Sequence, residues 1–174
     1  MAAPDRTYAV ADPSTRTRAA AVSLASVDPA EPIAQRAMAC YFAELARRFP
    51  EGFDPGPLTQ FSSMTPPGGT FVLAVNEGEP VACGGLQRIG EGIGEIKRMW
   101  VHEAWRGAGL GSRVLRRLEE DAAALGHSII RLDTNRTLTE ALALYARAGY
   151  RPIDRYNDNP FAHAFFEKVL NVAK

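Results

Sequence analysis

Arg106-Gly107-Ala108-Gly109-Leu110-Gly111 is the stretch whose residue types and spacing most clearly serve chemistry. Its alternating glycines leave backbone N–H groups uncovered by side chains. Ser112 to Leu125 follows at once and reads as a helix, so those donors lie where the positive end of a helix dipole begins. That arrangement suits a phosphate or pyrophosphate, and Arg106 adds a fixed positive charge in front of it. The pattern points to a diphosphate-bearing cofactor. The plainer alternative is a glycine-rich strand-to-helix turn with no ligand.

The neighbours exclude two familiar phosphate loops. A Walker loop needs Gly-Lys-Ser/Thr, which does not follow. The dinucleotide fingerprint Gly-x-Gly-x-x-Gly needs a glycine at the position of Ser112, and no clear acidic ribose ligand stands about 20 residues on. What is left is Arg-x-x-Gly-x-Gly between a strand and a helix.

The elements that must position this loop follow from periodicity and turn chemistry. Residues 1–18 are polar and broken by Pro4 and Pro13, so they are expected to be flexible, with one domain over 19–174. Ala19 to Val27 can form a strand. Pro32 to Phe49 reads as an amphipathic helix with Ile33, Ala37, Cys40, Tyr41, Leu45 and Phe49 on one side. The segment 50–69 carries five prolines and four glycines and is expected to be a loop, with at most a short helix near Leu58 to Met64. Thr70 to Val75 and Val81 to Ile89 flank a hairpin turn at Asn76-Glu77-Gly78-Glu79, and Glu95 to His102 is a further strand. Past the glycine loop, Val114, Leu115, Leu118, Ala122 and Leu125 form the apolar stripe of a helix closed by Gly126. Ser128 to Asp133 is a strand and Thr139 to Ala148 a helix. Tyr150 to Arg155 and Ala164 to Leu170 are strands. The order β-α-(α)-β-β-β-α-β-α-β-β describes an α/β chain with a mixed sheet.

Ala141-Leu142-Ala143-Leu144-Tyr145-Ala146-Arg147-Ala148-Gly149-Tyr150 resembles the segment Ala-x-x-Leu-Tyr-x-x-x-Gly-Phe/Tyr of the GNAT superfamily of acyl-CoA-dependent N-acyltransferases. The glycine loop resembles that family's pyrophosphate loop, and the element order matches from about Ala19 to Leu170. The resemblance implies a mixed, mostly antiparallel central sheet flanked by helices on both faces. It implies an N-acetyltransferase that moves an acetyl group from acetyl-CoA to an amine by direct transfer in a ternary complex.

Site residues are carried over on the same ground. The resemblance assigns pyrophosphate binding to Arg106, Gly107, Ala108, Gly109, Leu110, Gly111 and Ser112. It assigns the pantetheine arm to the backbone of Met99, Trp100 and Val101, where the family's strand splays from its neighbour. Asn135, Leu144 and Tyr145 complete the cofactor-binding set, although Asn135 can equally be a turn-capping residue. Glu95, 11 residues before Arg106, is the candidate base. It competes with a structural reading, in which it pairs with Lys97 or Arg98; Glu44, Glu103 and Glu167 are substitutes. Tyr145 is the candidate acid for the departing thiolate, against a packing role. Period-two alternation places Glu95, Lys97, Met99 and Val101 on one face of their strand, and Ile96, Arg98, Trp100 and His102 on the other. A covalent intermediate on Cys83 is a weaker alternative. The walls of an acceptor pocket are expected from Arg48 to Gly69 and from Asn157 to His163. Tyr41, Phe49 and Phe53 would make that pocket partly aromatic.

Composition limits the rest. Among 174 residues, 20 basic and 20 acidic side chains cancel, which argues against broad binding to nucleic acid or an anionic membrane. No secretory h-region and no spanning apolar run is present, and two cysteines lack metal spacing, so a cytoplasmic protein without a metal is expected. The acceptor is expected to be a small-molecule amine. A protein or peptide N-acetyltransferase would need an open charged groove, and a non-catalytic acyl-CoA-binding module on the same fold would show no turnover. Homodimers are common in the family, and the C-terminal strand could mediate one.

Overall fold

The computed structural model describes residues 10–56 and 62–171. Helix α1 is Pro13–Ala21, strand β1 is Leu24–Ser26 and helix α2 is Pro32–Arg48. Strands β2 (Thr70–Asn76), β3 (Glu79–Gly90) and β4 (Ile93–Val101) form a meander. Helix α3 (Leu110–Ala124), β5 (Ile129–Thr134), α4 (Thr139–Arg147), β6 (Arg151–Pro152) and β7 (Ala164–Val169) follow. The seven strands are ordered β1-β2-β3-β4-β5-β7-β6, and β4 with β5 is the parallel pair among otherwise antiparallel neighbours. The mixed, mostly antiparallel sheet expected above is therefore the observed one.

Each face of the sheet has its own core. On one, Leu110, Val114, Leu115, Leu118 and Ala122 of α3 pack with Val72, Leu86, Ile96, Ile130 and Leu132. The other is built from Ala34, Ala37 and Met38 of α2 with Met64, Phe71, Leu73, Cys83 and Trp100. The stripe expected for α3 is the buried one. In α2 the buried face turns slightly: Ala34 and Met38 are inside, whereas Cys40 is exposed.

Three local expectations are corrected. Residues 13–18, expected to be flexible, begin α1; residues 1–9 lie outside the described residues. Asp12 accepts hydrogen bonds from the Ser14 and Thr15 N–H groups at 2.8 and 3.1 Å, with Pro13 in the first turn. Ala19 is fully buried, and Arg113 donates to the Ala19 and Val22 carbonyls, so α1 is fastened to α3. The first strand accordingly starts at Leu24 instead of Ala19. In the loop where at most a short helix was expected near Leu58 to Met64, Ser62–Met64 forms one 3₁₀ turn, in keeping with that expectation, and residues 57–61 lie outside the described residues. Tyr150 to Arg155 contributes only the two residues of β6, at the sheet edge.

The correction that matters for the site lies in β4. Gly85 pairs with Lys97 but Cys83 pairs with Trp100, so β4 carries one extra residue, a β-bulge. Arg98 takes a positive φ of 55° there. The bulge resets the alternation. Met99 and Val101 join Ile96 on the α3 face, while Trp100 lies in the α2-face core. The uninterrupted period-two grouping of Glu95 with Met99 and Val101 is thereby overturned.

Candidate active site

The parallel ladder between β4 and β5 ends early. It runs from Ile93↔Ile129 to Glu95↔Arg131 and no further, although β4 continues to Val101 and β5 to Thr134. Their outer partners hold them apart: β3 pairs with β4 as far as Val101, and β7 pairs with β5 as far as Thr134. A wedge opens beyond Glu95. His102 N–H donates to Val81 O at 2.9 Å, so strand alternation turns the preceding Val101 N–H to the opposite edge, facing the gap. Val101 O, on that same edge, accepts from Arg106 Nε at 2.9 Å.

Behind the wedge lies a cavity of 380 Å³, within the range of small-molecule sites. Residues 96–99 of β4 line one side and residues 133–135 the other. Tyr145 of α4, aromatic residues of α2, and Phe53 and Phe161 close it. Glu95 and Tyr145, the two expected catalytic residues, line this one space. Burial pushes the Tyr145 hydroxyl well above the ordinary tyrosine range, with further help from Tyr41 and the charges of Asp133 and Glu140. The hydroxyl is protonated at neutral pH.

Glu95 is buried and wired. Its Oε1 accepts from Gln87 Nε2 at 2.9 Å and lies 3.5 Å from Lys97 Nζ; its Oε2 accepts from the Tyr156 hydroxyl at 2.8 Å. Asp133 stands two residues beyond the strand partner of Glu95 and accepts from the side-chain amides of Asn157 and Asn159. Burial first, and then the neighbouring Glu95 charge, raise the Asp133 carboxyl above its usual range despite those donors. A second, polar cavity of 450 Å³ reaches Glu95 from the side of Gln87, Arg131 and Tyr156. Glu95 and Asp133 line both spaces, so the Glu95 carboxylate stands between the aromatic cavity and a polar one.

The glycine loop has the backbone its pattern required. Gly107 and Gly109 take φ of 74° and 85°, which glycine adopts without steric cost. Gly109 is the N-cap of α3, with no side-chain cap and no acidic residue in the first turn. The N–H groups of Leu110, Gly111 and Ser112 therefore have neither an intrahelical acceptor nor a capping carboxylate. Arg106 departs from the simplest phosphate role. Its guanidinium turns back to Val101 O and to the buried Glu44, with Glu140 at 4.0 Å, and Glu140 is in turn bound by Arg48. Burial alone would raise Glu140, but the hydrogen bond from Arg48 and the two nearby cations hold it below the usual range. This network ties the loop to α2 and α4.

Other expected residues take distinct places. Asn135 donates to Phe161 O at 2.8 Å and accepts from Thr137 N at 2.9 Å, so its amide secures the strand end while lining the cavity. Leu144 packs beside Gly111, which brings α4 against the glycine loop. The Met99 side chain contacts the α3-face core and Trp100 the α2-face core, and Trp100 pairs with Cys83 of β3, away from the gap. Cys83 is fully buried and burial drives its thiol pKa far up, so it is not a nucleophile. Glu167 is held by Arg131 and Arg151, away from a base role. Sequence reasoning missed Asp133 and Tyr156. Alternation along β5 could have found the first, since Arg131 and Asp133 share the face of Glu95. No local signal marks Tyr156, which meets Glu95 across 61 residues of chain. Among the described residues, no cluster of three or more metal-ligating side chains occurs, and no helix is long and apolar enough to cross a membrane.

Known proteins resemble this chain in sequence and fold. Residues 35–150 match the family model of the acetyltransferase (GNAT) family. An IAA acetyltransferase of Azospirillum brasilense is 34% identical over 117 residues, which cover 65% of this chain and 76% of that protein. An uncharacterised N-acetyltransferase of Schizosaccharomyces pombe is 30% identical over 106 residues, 60% of this chain and 65% of that protein. Among solved structures, a Klebsiella pneumoniae protein described as an acyl-CoA N-acyltransferase aligns with a TM-score of 0.72 at 26% identity, covering 87% of this chain and 99% of its own. A GNAT family acetyltransferase of Elizabethkingia anophelis, solved with acetyl-CoA bound, shares the fold with a TM-score of 0.60 at 17% identity, covering 86% of this chain and 98% of its own. With its split parallel pair and glycine-opened helix, the chain belongs to the acetyltransferase (GNAT) family and is an acyltransferase of the N-acetyltransferase type.

Proposed function

We propose that this enzyme transfers an acetyl group from acetyl-CoA to the primary amine of a small molecule, with donor and acceptor bound together. One observation carries the reading: Glu95 and Tyr145 line a single cavity where β4 and β5 part. The residues fit the donor. The uncapped first turn of α3, with Gly107 to Ser112, suits a pyrophosphate, and the β4 edge left without a β5 partner, with the Val101 N–H turned to the gap, suits an amide-bearing arm laid alongside as an added strand. When bound, the thioester supplies the activated acetyl group.

The chain's own groups divide the remaining work. An acceptor amine with an ordinary pKa near 10.4 arrives as ammonium and cannot attack until it loses a proton. Glu95 takes that proton, directly or through water. The Val101 N–H, turned to the gap, donates to the acetyl carbonyl oxygen. Nitrogen bonds to the carbonyl carbon as the carbon–sulfur bond breaks, Tyr145 protonates the departing sulfur, and the second proton shed by the new amide nitrogen returns to the Tyr145 oxygen, directly or through water. The buried Cys83 supports direct transfer over a covalent intermediate. The Arg106 side chain acts through position, and the loop backbone meets the phosphates. Two free thiols, Cys40 and Cys83, accord with a cytoplasmic setting.

Thermal unfolding with and without acetyl-CoA tests the donor site. Acetyl-CoA at 100 times its Kd adds about 2.7 kcal/mol, a rise of several degrees in Tm. Release of free thiol with an added amine then tests transfer. No Tm shift with either acetyl-CoA or CoA would remove the support for the donor site.

A further inference from the structure

The cavity beside Glu95 has two chemically different ends. At one stand two carboxylates, Glu95 and Asp133, on adjacent parallel strands. At the other stand four phenylalanines from three separate stretches of chain. Phe53 is their hub, with ring centroids 5.8 Å from Phe42, 5.7 Å from Phe49 and 4.9 Å from Phe161. Phe49 and Phe161 stack at 6.1 Å. Phe42, Phe53 and Phe161 keep partial exposure although large and apolar, and that exposure is directed at the cavity they line. Rings in contact at these spacings form a cluster against whose cavity side another ring can pack edge-on or offset.

The cations nearby are already disposed. Lys97 Nζ lies 3.5 Å from Glu95, and the Arg98 guanidinium sits over the Phe42 ring at 5.1 Å, toward the aromatic end. The carboxylate end therefore favours a cation and disfavours a second anion beside it, because like charges a few ångströms apart in a partly desolvated site repel strongly.

We infer that the acceptor is a primary amine carried on a short arm by an aromatic body, with no carboxylate on the amine-bearing carbon. Its ammonium sits between Glu95 and Asp133, and its ring packs against the cluster of Phe42, Phe49, Phe53 and Phe161. This rests on the acyl-transfer reading above, yet the pocket can be probed without turnover. Asp133 has two parts in it: it doubles the negative charge that draws the ammonium, and it excludes the α-carboxylate of an amino acid.

The test is calorimetric titration of the full chain, alone and with CoA, using 2-phenylethylamine, phenylalanine and ethylamine. The expected result is that 2-phenylethylamine binds at least about tenfold more tightly than either, the scale of one well-placed aromatic contact. Phe53→Ala, and Phe161→Leu as the milder change should the first not fold, lose that preference while acetyl-CoA affinity stays. Binding of phenylalanine or ethylamine as tight as that of 2-phenylethylamine overturns the inference. So does a Phe53 or Phe161 variant that weakens all three amines equally. Selective binding of 2-phenylethylamine without thiol release from acetyl-CoA would sink the transfer reading and leave the pocket assignment standing.

Discussion

The glycine-loop end of the site and the acceptor end are built from different material. At the loop end the working groups are backbone: the N–H groups opening α3, and the edge of β4 freed where its pairing with β5 stops. Side chains there, Arg106 above all, are braces between elements. At the proposed acceptor end the groups that meet are side chains, Glu95, Asp133, Tyr156 and a phenylalanine cluster, brought together from distant parts of the chain. A backbone site recognises what is common to a class of ligand, in the function proposed above a diphosphate and an amide-bearing arm. A side-chain site recognises what is particular. The first accordingly tolerates most substitutions other than those that alter φ or fill space, and the second does not.

The sharpest way to separate the two ends is Glu95→Gln. It should lower kcat by about 10²–10⁴-fold, the usual worth of general-base catalysis, with acetyl-CoA affinity unchanged by calorimetry. Similar losses in kcat and in acetyl-CoA affinity would merge the two regions and end the comparison. Tyr145→Phe should lower kcat by about 10²-fold with little effect on CoA binding, since it removes one proton donor and no volume beyond a hydroxyl. An unchanged kcat would remove Tyr145 from the acid role. The opposite pattern is expected from Gly109→Val. A β-branched residue forced to φ of 85° strains the loop. It should weaken acetyl-CoA binding by roughly tenfold through about 1–2 kcal/mol of strain, leaving amine binding alone. Titration of both ligands checks it.

Arg106→Met tests the brace. It leaves Glu44 buried without its main partner, and should cost about 1–3 kcal/mol of stability, between the values for exposed and buried pairs. Chemical denaturation reads the loss directly.

The smallest effect is also the most diagnostic, because the two ends should answer acid with opposite sign. Glu140 at the loop end is held below its ordinary 4.5, so its contribution is full above pH 4.5 and fades as pH falls through the lower folded value. Asp133 at the acceptor end is raised above its ordinary 3.8, so its ionised form costs stability that is absent below pH 3.8 and grows as pH rises through the raised value. The Tm gap between wild type and Glu140→Gln should therefore shrink on acidification. With Asp133→Asn, the variant should gain on the wild type as pH rises. Parallel trends in the two series would contradict the assignment.

What could be read in advance divides along the same line. The glycine loop, the α3 stripe, the meander and the Leu-Tyr segment rest on contacts a few residues apart, and each was legible. So was the aromatic lining of the cavity, from Tyr41, Phe49 and Phe53, with Phe161 inside the expected segment Asn157 to His163 though not singled out there. The cap of α1 was written locally too, in Asp12-Pro13-Ser14. A polar segment with few apolar residues hid it, since the anchor is one buried alanine and two hydrogen bonds from Arg113. The bulge at Arg98 was not legible, because alternation assumes an unbroken ladder and nothing in Lys97-Arg98-Met99 announces an extra residue.

By itself, the sequence determined the α/β class, the phosphate-suited turn and the family, because these follow from short-range periodicity, glycine spacing and a compact motif. Only the tertiary structure decided which face Met99 and Val101 take, that Arg106 braces instead of reaching outward, and that Tyr156 and Asp133 surround Glu95. Those outcomes depend on strand register and on contacts across the fold, where burial and charge pairing choose among partners that chain order leaves equivalent.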